Sequence, residues 1–253
     1  MLPLRSVVDM AIRALIFDVD GTLAETERDG HRVAFNAAFD EAGLPWHWDV
    51  ELYDDLLTVT GGKERIRHFC TRFDPTFLQR RDATALIAGI HAAKTRRYGA
   101  LVRTGQIKLR PGVQELIHAA RDAGIRLAIA TTTTPDNVTE LLRTTLGEDA
   151  PGWFEVVGAG DVVPDKKPSP AVYLWVLDQL GLDAAECVAI EDSEPGLAAA
   201  AAAGVATVVA PSAHAPSPRD PGGPWEQAAL VVDDLTNVTL ADLAALTNPA
   251  NNH

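Results

Sequence analysis

Short apolar runs, each cut off by polar or turn-forming residues, recur along the chain. Ala14-Leu15-Ile16-Phe17 stops at Asp18-Val19-Asp20-Gly21-Thr22, and similar runs follow at 125–130, 187–190 and 205–209. A short continuous apolar run bounded by turn signals reads as a strand buried on both faces, the kind used by parallel sheets. Between these runs the period changes. Val113, Leu116, Ile117 and Ala120 fall at helical spacing and the pattern ends at Gly124; Ala171–Leu180 is closed by Gly181, and 196–203 by Gly204. A short strand at 230–232 and a helix at Leu240–Leu246 complete the series. Strands alternating with helices of this size predict an α/β fold with a doubly wound, mostly parallel sheet. The run of alanines before Gly204 needs only its helix propensity to explain it.

Between about residues 27 and 103 the character differs. The stretches 31–42, 63–72 and 80–102 read as helices carrying aromatic and charged residues, with no convincing strand among them. Pro111-Gly112 marks the return to the alternating pattern. The expected organisation is therefore a discontinuous α/β core, 12–26 with 104–247, interrupted by a helical cap at 27–103. The stretch 210–224 holds five prolines and reads as a long irregular loop, and 248–253 as a frayed tail.

A chain of 253 residues is long enough to bury a core without metal or disulfide support. With 22 Lys and Arg against 35 Asp and Glu, the formal charge of −13 argues against a nucleic-acid binder. Cys70 and Cys187 have no paired spacing, which argues against a disulfide scaffold or a structural zinc. No apolar run approaches the roughly 18 residues of a membrane span. Residues 1–13 carry Asp9 and lack the apolar stretch of a signal peptide. A cytoplasmic monomer acting on a small molecule is the expectation.

In a parallel sheet, ligands bind beyond the carboxyl ends of the strands, so the residues there carry the chemistry. After the first strand come Asp18 and Asp20; after the second, Thr131 to Thr134; after the run at 187–190, Glu191-Asp192-Ser193, with Lys166-Lys167-Pro168 between. Carboxylate oxygens suit Mg²⁺, which is held by a few acids together with substrate phosphate. A carboxylate also serves as nucleophile in forming an aspartyl-phosphate, and a second acid nearby can shuttle the proton. A lysine and hydroxyls neutralise and position a phosphoryl group. Asp-Gly is equally an ordinary turn, and Ser193 an ordinary helix cap. Thr132 and Thr133 either contact a ligand or satisfy loop backbone groups.

Phe17-Asp18-Val19-Asp20-Gly21-Thr22-Leu23, followed in order by Thr131, Lys167 and Glu191-Asp192, resembles the haloacid-dehalogenase-like superfamily. The resemblance implies Asp18 as nucleophile and metal ligand, and Asp20 as general acid/base whose backbone carbonyl also meets Mg²⁺. It implies that Thr131 and Lys167 bind the transferring phosphoryl group, that Asp192 completes the metal site, and that the helical insert is a cap closing over substrate. Residues 24–31, 60–66, 91–95 and 130–137 look like the CbbY group, which hydrolyses xylulose-1,5-bisphosphate, an inhibitor of Rubisco. That likeness implies substrate contacts from Glu27, Gly61, Gly62, Lys63, Arg65, His91, Lys94, Thr131, Thr132, Thr133 and Asn137, the last four in a loop at 131–137. The residue chemistry independently suits a bisphosphate: one phosphate at Asp18, the other at the amides of Gly61-Gly62 with Lys63 and Arg65 adding charge.

Three alternatives stay open. A phosphoglucomutase-type isomerase carries a cap histidine near the first motif, but His31 lies one position later than that pattern places it. A phosphonate-cleaving enzyme needs a cap lysine, for which Lys63 and Lys94 are candidates. A non-catalytic sugar-phosphate-binding regulator would not need both Asp18 and Asp20. Lys166 reads as a solvated surface charge. Trp46-His47-Trp48 is read as packing, with lining of the cleft as the other option.

Overall fold

The computed structural model describes residues 12–105, 107–213, 215 and 224–247. The predicted absence of a signal peptide at 1–13 and the frayed tail at 248–253 fall on residues outside this set, 12 and 13 excepted; so does most of the proline-rich loop.

Six strands form one parallel sheet in the order β3-β2-β1-β4-β5-β6: β1 (Ala14–Phe17), β2 (Arg126–Ala130), β3 (Phe154–Gly158), β4 (Cys187–Glu191), β5 (Ala206–Val209) and β6 (Leu230–Val231). The chain winds one way from β1 to β3 and the other way from β4 to β6. The crevice between β1 and β4 is therefore the topological switch point where such sheets bind ligands. Register makes these strands end level, because Phe17 pairs with Ile129 on one side and with Ile190 on the other. The residues just past them share one edge.

After β1 a π turn (Glu27–His31) leads into the helices of the insert: α1 (Arg32–Glu41), α2 (Val50–Leu56), α3 (Gly62–Phe73), α4 (Pro75–Leu78) and α5 (Ala83–Arg103). They enclose their own apolar core, in which Phe35, Phe39, Trp46, Trp48, Tyr53 and Phe69 meet ring to ring. Trp46 and Trp48 are core residues there, as the packing reading expects.

The remaining helices are α6 (Val113–Asp122), α7 (Pro135–Leu146), α8 (Ala171–Leu180), α9 (Glu194–Ala202) and α10 (Leu240–Leu246). One face of the sheet, with Leu15, Phe17, Leu127 and Ile129, packs on α6, α7 and α10. The other, with Ala14, Ala128, Ala130 and Ala189, packs on α8 and α9. Alternation along each strand sends successive side chains to opposite faces; the second face also holds Ile16 and Val156 but is rich in alanine, and Ala199 and Ala200 of α9 pack on it.

Several elements differ from expectation. β3, α2 and α7 were not expected from the sequence. β3 alternates buried and exposed residues at the sheet edge, so it lacks the continuous apolar run of its inner neighbours. Pro135 opens α7, so the expected loop 131–137 is half helix and Asn137 sits on its first turn. α9 starts two residues early because Ser193 Oγ caps it by accepting from the Gly196 amide. No helix among the described residues is long and apolar enough to cross a membrane.

Candidate active site

Past the level ends of β1 and β4, Asp18, Glu191 and Asp192 bring carboxylate oxygens within 4.8 Å of one another, all buried. Lys167 Nζ donates to Asp18 Oδ1 at 2.7 Å and to Glu191 Oε1 at 2.6 Å. The buried hydroxyl of Tyr173 donates to the same Glu191 oxygen at 2.5 Å, and Thr22 Oγ1 donates to Asp192 Oδ1 at 3.3 Å. Two glycines make room for the acids. A Cβ on Gly21, whose φ is +85°, would stand 2.2 Å from Asp192 Oδ2, and one on Gly196 would stand 1.9 Å from Glu191 Oε2.

Three buried carboxylates against one ammonium leave this pocket electrostatically strained. Burial pushes the Asp18 carboxyl up to about 7, with Glu191 adding to the rise and Lys167 opposing it. Burial, then the charges of Asp18 and Glu191, drive Asp192 well above the carboxylate range. Lys167 is held protonated above the ordinary lysine range, since Asp18 and Glu191 outweigh its own burial. The buried Oε2 of Glu191 has no hydrogen-bond partner among the described residues. Clustered oxygen donors with surplus negative charge fit a hard divalent cation such as Mg²⁺. Glu191, whose role the motif left open, belongs to this cluster.

Asp20 faces the insert. Its Oδ1 accepts from Thr26 Oγ1 at 2.6 Å and lies 2.7 Å from His31 Nε2, while His31 Nδ1 lies 2.7 Å from Lys94 Nζ. With the lysine donating to Nδ1, Nε2 carries the ring proton and donates to Asp20. Burial alone would raise Asp20, but His31, Thr26 and Lys94 together hold its carboxyl well below the usual range. The π turn makes this possible. In an α-helix, residues five apart point about 140° from each other. The i→i+5 bond from the His31 amide to the Thr26 carbonyl, 2.8 Å, closes a wider turn and brings both side chains onto one carboxylate oxygen. The one-position displacement of His31 therefore does not keep it from Asp20.

A cavity of about 420 Å³ runs from this edge to the insert, lined by Asp18, Asp20, Thr131, Thr132, Lys167 and Asp192 on one side and Glu27, Thr60 and Arg65 on the other. A recess of about 30 Å³ adjoins it, lined by Gly61, Gly62, His91, Lys94, Thr133 and Asn137 among others. Thr131 Oγ1 accepts from the Thr133 amide at 3.3 Å, and Asn137 Nδ2 donates to Thr133 Oγ1 at 3.4 Å, so these threonines also satisfy one another. Burial, followed by the charges of Lys94 and Lys63, pushes His91 down to about 4.

Lys63 is the expected residue that lines neither space. It pairs instead with Asp161 at 2.5 Å, at the rim. Lys166 is not the solvated charge expected: it donates to the Gly160 carbonyl and reaches Asp161 at 2.9 Å. Glu27 and Arg65 are also engaged. The buried Tyr53 hydroxyl donates to Glu27 Oε2 at 2.5 Å and accepts from Arg65 Nη1 at 3.0 Å. Tyr53, Tyr173 and the Asp20 contact of His31 were not anticipated from the sequence. Nothing in the sequence around a tyrosine marks a buried carboxylate partner, and the one trace of the turn is the single-position displacement of His31.

A protein-family model described as haloacid dehalogenase-like hydrolase matches residues 12–204. "Protein CbbY, plasmid" of Cupriavidus necator is 52% identical over 201 residues, 79% of this chain and 79% of that protein. "Protein CbbY" of Rhodobacter capsulatus is 51% identical over 205 residues, 81% of this chain and 88% of that one. The crystal structure of a mutant CbbY from Rhodobacter sphaeroides in complex with xylulose-(1,5)bisphosphate superposes with a TM-score of 0.81 at 44% identity, covering 92% of this chain and 99% of that one.

Proposed function

This chain belongs to the haloacid dehalogenase-like hydrolase family and is one of its phosphatases; we propose that it depends on Mg²⁺, works through an aspartyl-phosphate on Asp18, and hydrolyses xylulose-1,5-bisphosphate to xylulose 5-phosphate. The observation that carries the reading is one cavity with two unlike ends: a buried acid cluster with Lys167 at the core, and Arg65 with Glu27 facing it from the insert. The likeness to CbbY proteins, one of them solved with that sugar bisphosphate, supports the substrate. Removal of a Rubisco inhibitor would then be its physiological role. The reading divides the chain into a core of 12–26 with 104–247 and a cap of 27–103.

Asp18, Asp192 and the backbone carbonyl of Asp20 would hold Mg²⁺, which when bound offsets charge on the transferring phosphoryl group. An Asp18 oxygen attacks phosphorus in line, and the bond to the sugar oxygen breaks with its electron pair going to that oxygen. Its contacts with His31 and Thr26 hold Asp20 ionised, so to act as the acid it must leave them and take up a proton from solvent, which it then passes to the leaving sugar oxygen. Lys167 and Thr131 hold the phosphoryl oxygens. Asp20, now a carboxylate, takes a proton from the water that attacks phosphorus, releasing phosphate and Asp18. His31 and Lys94 fit this account better as supports of Asp20 than as substrate contacts. Glu27 and Arg65 read the sugar and its second phosphate, with His91, Gly61 and Gly62 beside them. Lys63 reaches that phosphate only by leaving Asp161.

The contact between His31 and Asp20 favours one second reading, a phosphoglucomutase-type isomerase, because the offset that counted against it is absorbed by the π turn. Both are tested by phosphate release and product analysis over sugar mono- and bisphosphates with Mg²⁺, glucose phosphates included. Fastest release from xylulose-1,5-bisphosphate is expected; preferential isomerisation of a glucose phosphate overturns it. Asp18→Asn is expected to abolish turnover with the fold intact, since an amide is a poor nucleophile. Normal phosphate release from that variant would sink the mechanism.

A further inference from the structure

Arg110 stands on the segment that returns from the insert to the sheet, and its side chain is 9% exposed. Its guanidinium reaches three other segments at once. Nη1 donates to the Gly21 carbonyl and, at 2.6 Å, to that of Ala210; Nη2 donates to the Pro211 carbonyl at 2.8 Å; Nε lies 3.2 Å from a Glu25 carboxylate oxygen. Glu25 is on the outgoing crossing to the insert, and Ala24 bridges Leu109, so the two crossings are tied to each other as well as to the core.

The carbonyls that Arg110 holds flank Asp192 from both sides. Gly21 precedes Thr22, whose hydroxyl bonds Asp192, and its bare Cα leaves the space that Asp192 Oδ2 fills. Ala210 donates its amide to the Glu191 carbonyl at 2.9 Å, and Pro211 precedes Ser212, which hydrogen-bonds Asp192. We infer that Arg110 is a positioning residue: it clamps the hinge of the insert to the two loops that pack on Asp192, and so fixes the geometry of the acid cluster. This rests on reading that cluster as the metal site. Only a planar fork with five donors satisfies acceptors from three segments together; a lysine keeps the charge but presents its donors from one point. Groups that orient metal ligands from behind typically change affinity about 10- to 100-fold when removed.

The test is calorimetric titration of the full chain with MgCl₂, without substrate, for the wild type, Arg110→Lys and Glu25→Gln. Kinetics on a phosphate monoester run alongside. Arg110→Lys is expected to bind Mg²⁺ about tenfold more weakly, with turnover largely recovered at saturating Mg²⁺. Glu25→Gln, which loosens one arm, is expected to weaken binding about two- to threefold. Wild-type affinity in folded Arg110→Lys overturns the role of Arg110. If Arg110→Lys fails to fold by circular dichroism, unchanged affinity in Glu25→Gln overturns it instead. Absence of Mg²⁺ binding by the wild type overturns the metal reading itself, a separate result.

Discussion

The two ends of the cleft are built by different means. At the core end, every acid lies one to three residues beyond a strand or at its last position, and strand register makes those ends level. Backbone hydrogen bonding alone places Asp18, Thr131, Glu191 and Asp192 together. At the insert end the groups come from the π turn, α2, α3 and α5, and their contacts span the sequence: Tyr53 to Glu27, Lys94 to His31. Nothing but side-chain packing chooses those partners. The ends differ electrically too. Acids outnumber cations in the core cluster, whereas Glu27 faces Arg65 and Asp20 faces His31 and Lys94. A sheet edge can concentrate uncompensated charge because its backbone is fixed elsewhere; a helical insert needs its charges matched to settle its packing.

The largest effect that would break this comparison is at Lys167. Lys167→Met leaves three buried carboxylates without their cation, and removing one partner of a buried ionic group typically costs about 3–5 kcal/mol. Urea unfolding in EDTA is expected to show a loss of that order, reduced when Mg²⁺ is added, with phosphatase turnover falling at least about a hundredfold. A variant as stable as the wild type in EDTA would mean that the core cluster is not strained.

At the insert end the corresponding cation is Lys94, which burial pushes down to about 8, with Asp20 and Glu27 limiting the fall. Below pH 8 both folded and unfolded chains hold this proton, so Lys94 adds no pH slope and its burial cost is fully present. Between pH 8 and about 10.4 the unfolded chain retains a proton that the folded chain has released. Unfolding then takes up a proton, and stability attributable to Lys94 rises with pH. Relative to Lys94→Met, the wild type is expected to gain up to about 3 kcal/mol between pH 7.5 and 10, at about 1.4 kcal/mol per unit. Parallel unfolding curves for the two proteins would show that Lys94 is not desolvated as described.

The same division explains what was legible before the structure. The strands carrying motifs, the helical character of the insert and the residues at the strand ends followed from hydrophobic runs and turn chemistry. β3 escaped because an edge strand lacks the double-sided burial that marks its neighbours. In the insert, residue types at positions such as Glu27, Arg65, His91 and Lys94 were legible, but their partners were not. Lys94 meets His31, Arg65 meets Tyr53, and Lys63 turns away to Asp161. The π turn was hidden because a single extra residue alters helical phase without altering composition, and phase is what decides that Thr26 and His31 converge.

Two tyrosines allow the sharpest comparison, at the smallest cost to the fold. Tyr173 donates to Glu191 and Tyr53 to Glu27, each from a buried hydroxyl at 2.5 Å. In both, burial, then the neighbouring carboxylate, pushes the phenol well above its ordinary value, so each stays a donor at neutral pH. Phenylalanine at either position keeps the ring and removes the bond to a buried carboxylate, a change of about 1–2 kcal/mol; at Tyr53 it also removes the bond accepted from Arg65. The carboxylate bond lost is the same kind in both, at opposite ends of the cleft. Tyr173→Phe frees the acid that anchors Lys167, and is expected to lower kcat by about five- to thirtyfold with KM little changed. Tyr53→Phe releases Glu27 and Arg65, and is expected to raise KM for a sugar bisphosphate by a similar factor of about five to thirty, with kcat within about twofold. Steady-state kinetics on the two variants separate the effects. If both fall in kcat alone, the insert takes part in the chemical step and the two ends are not the separate devices their construction implies.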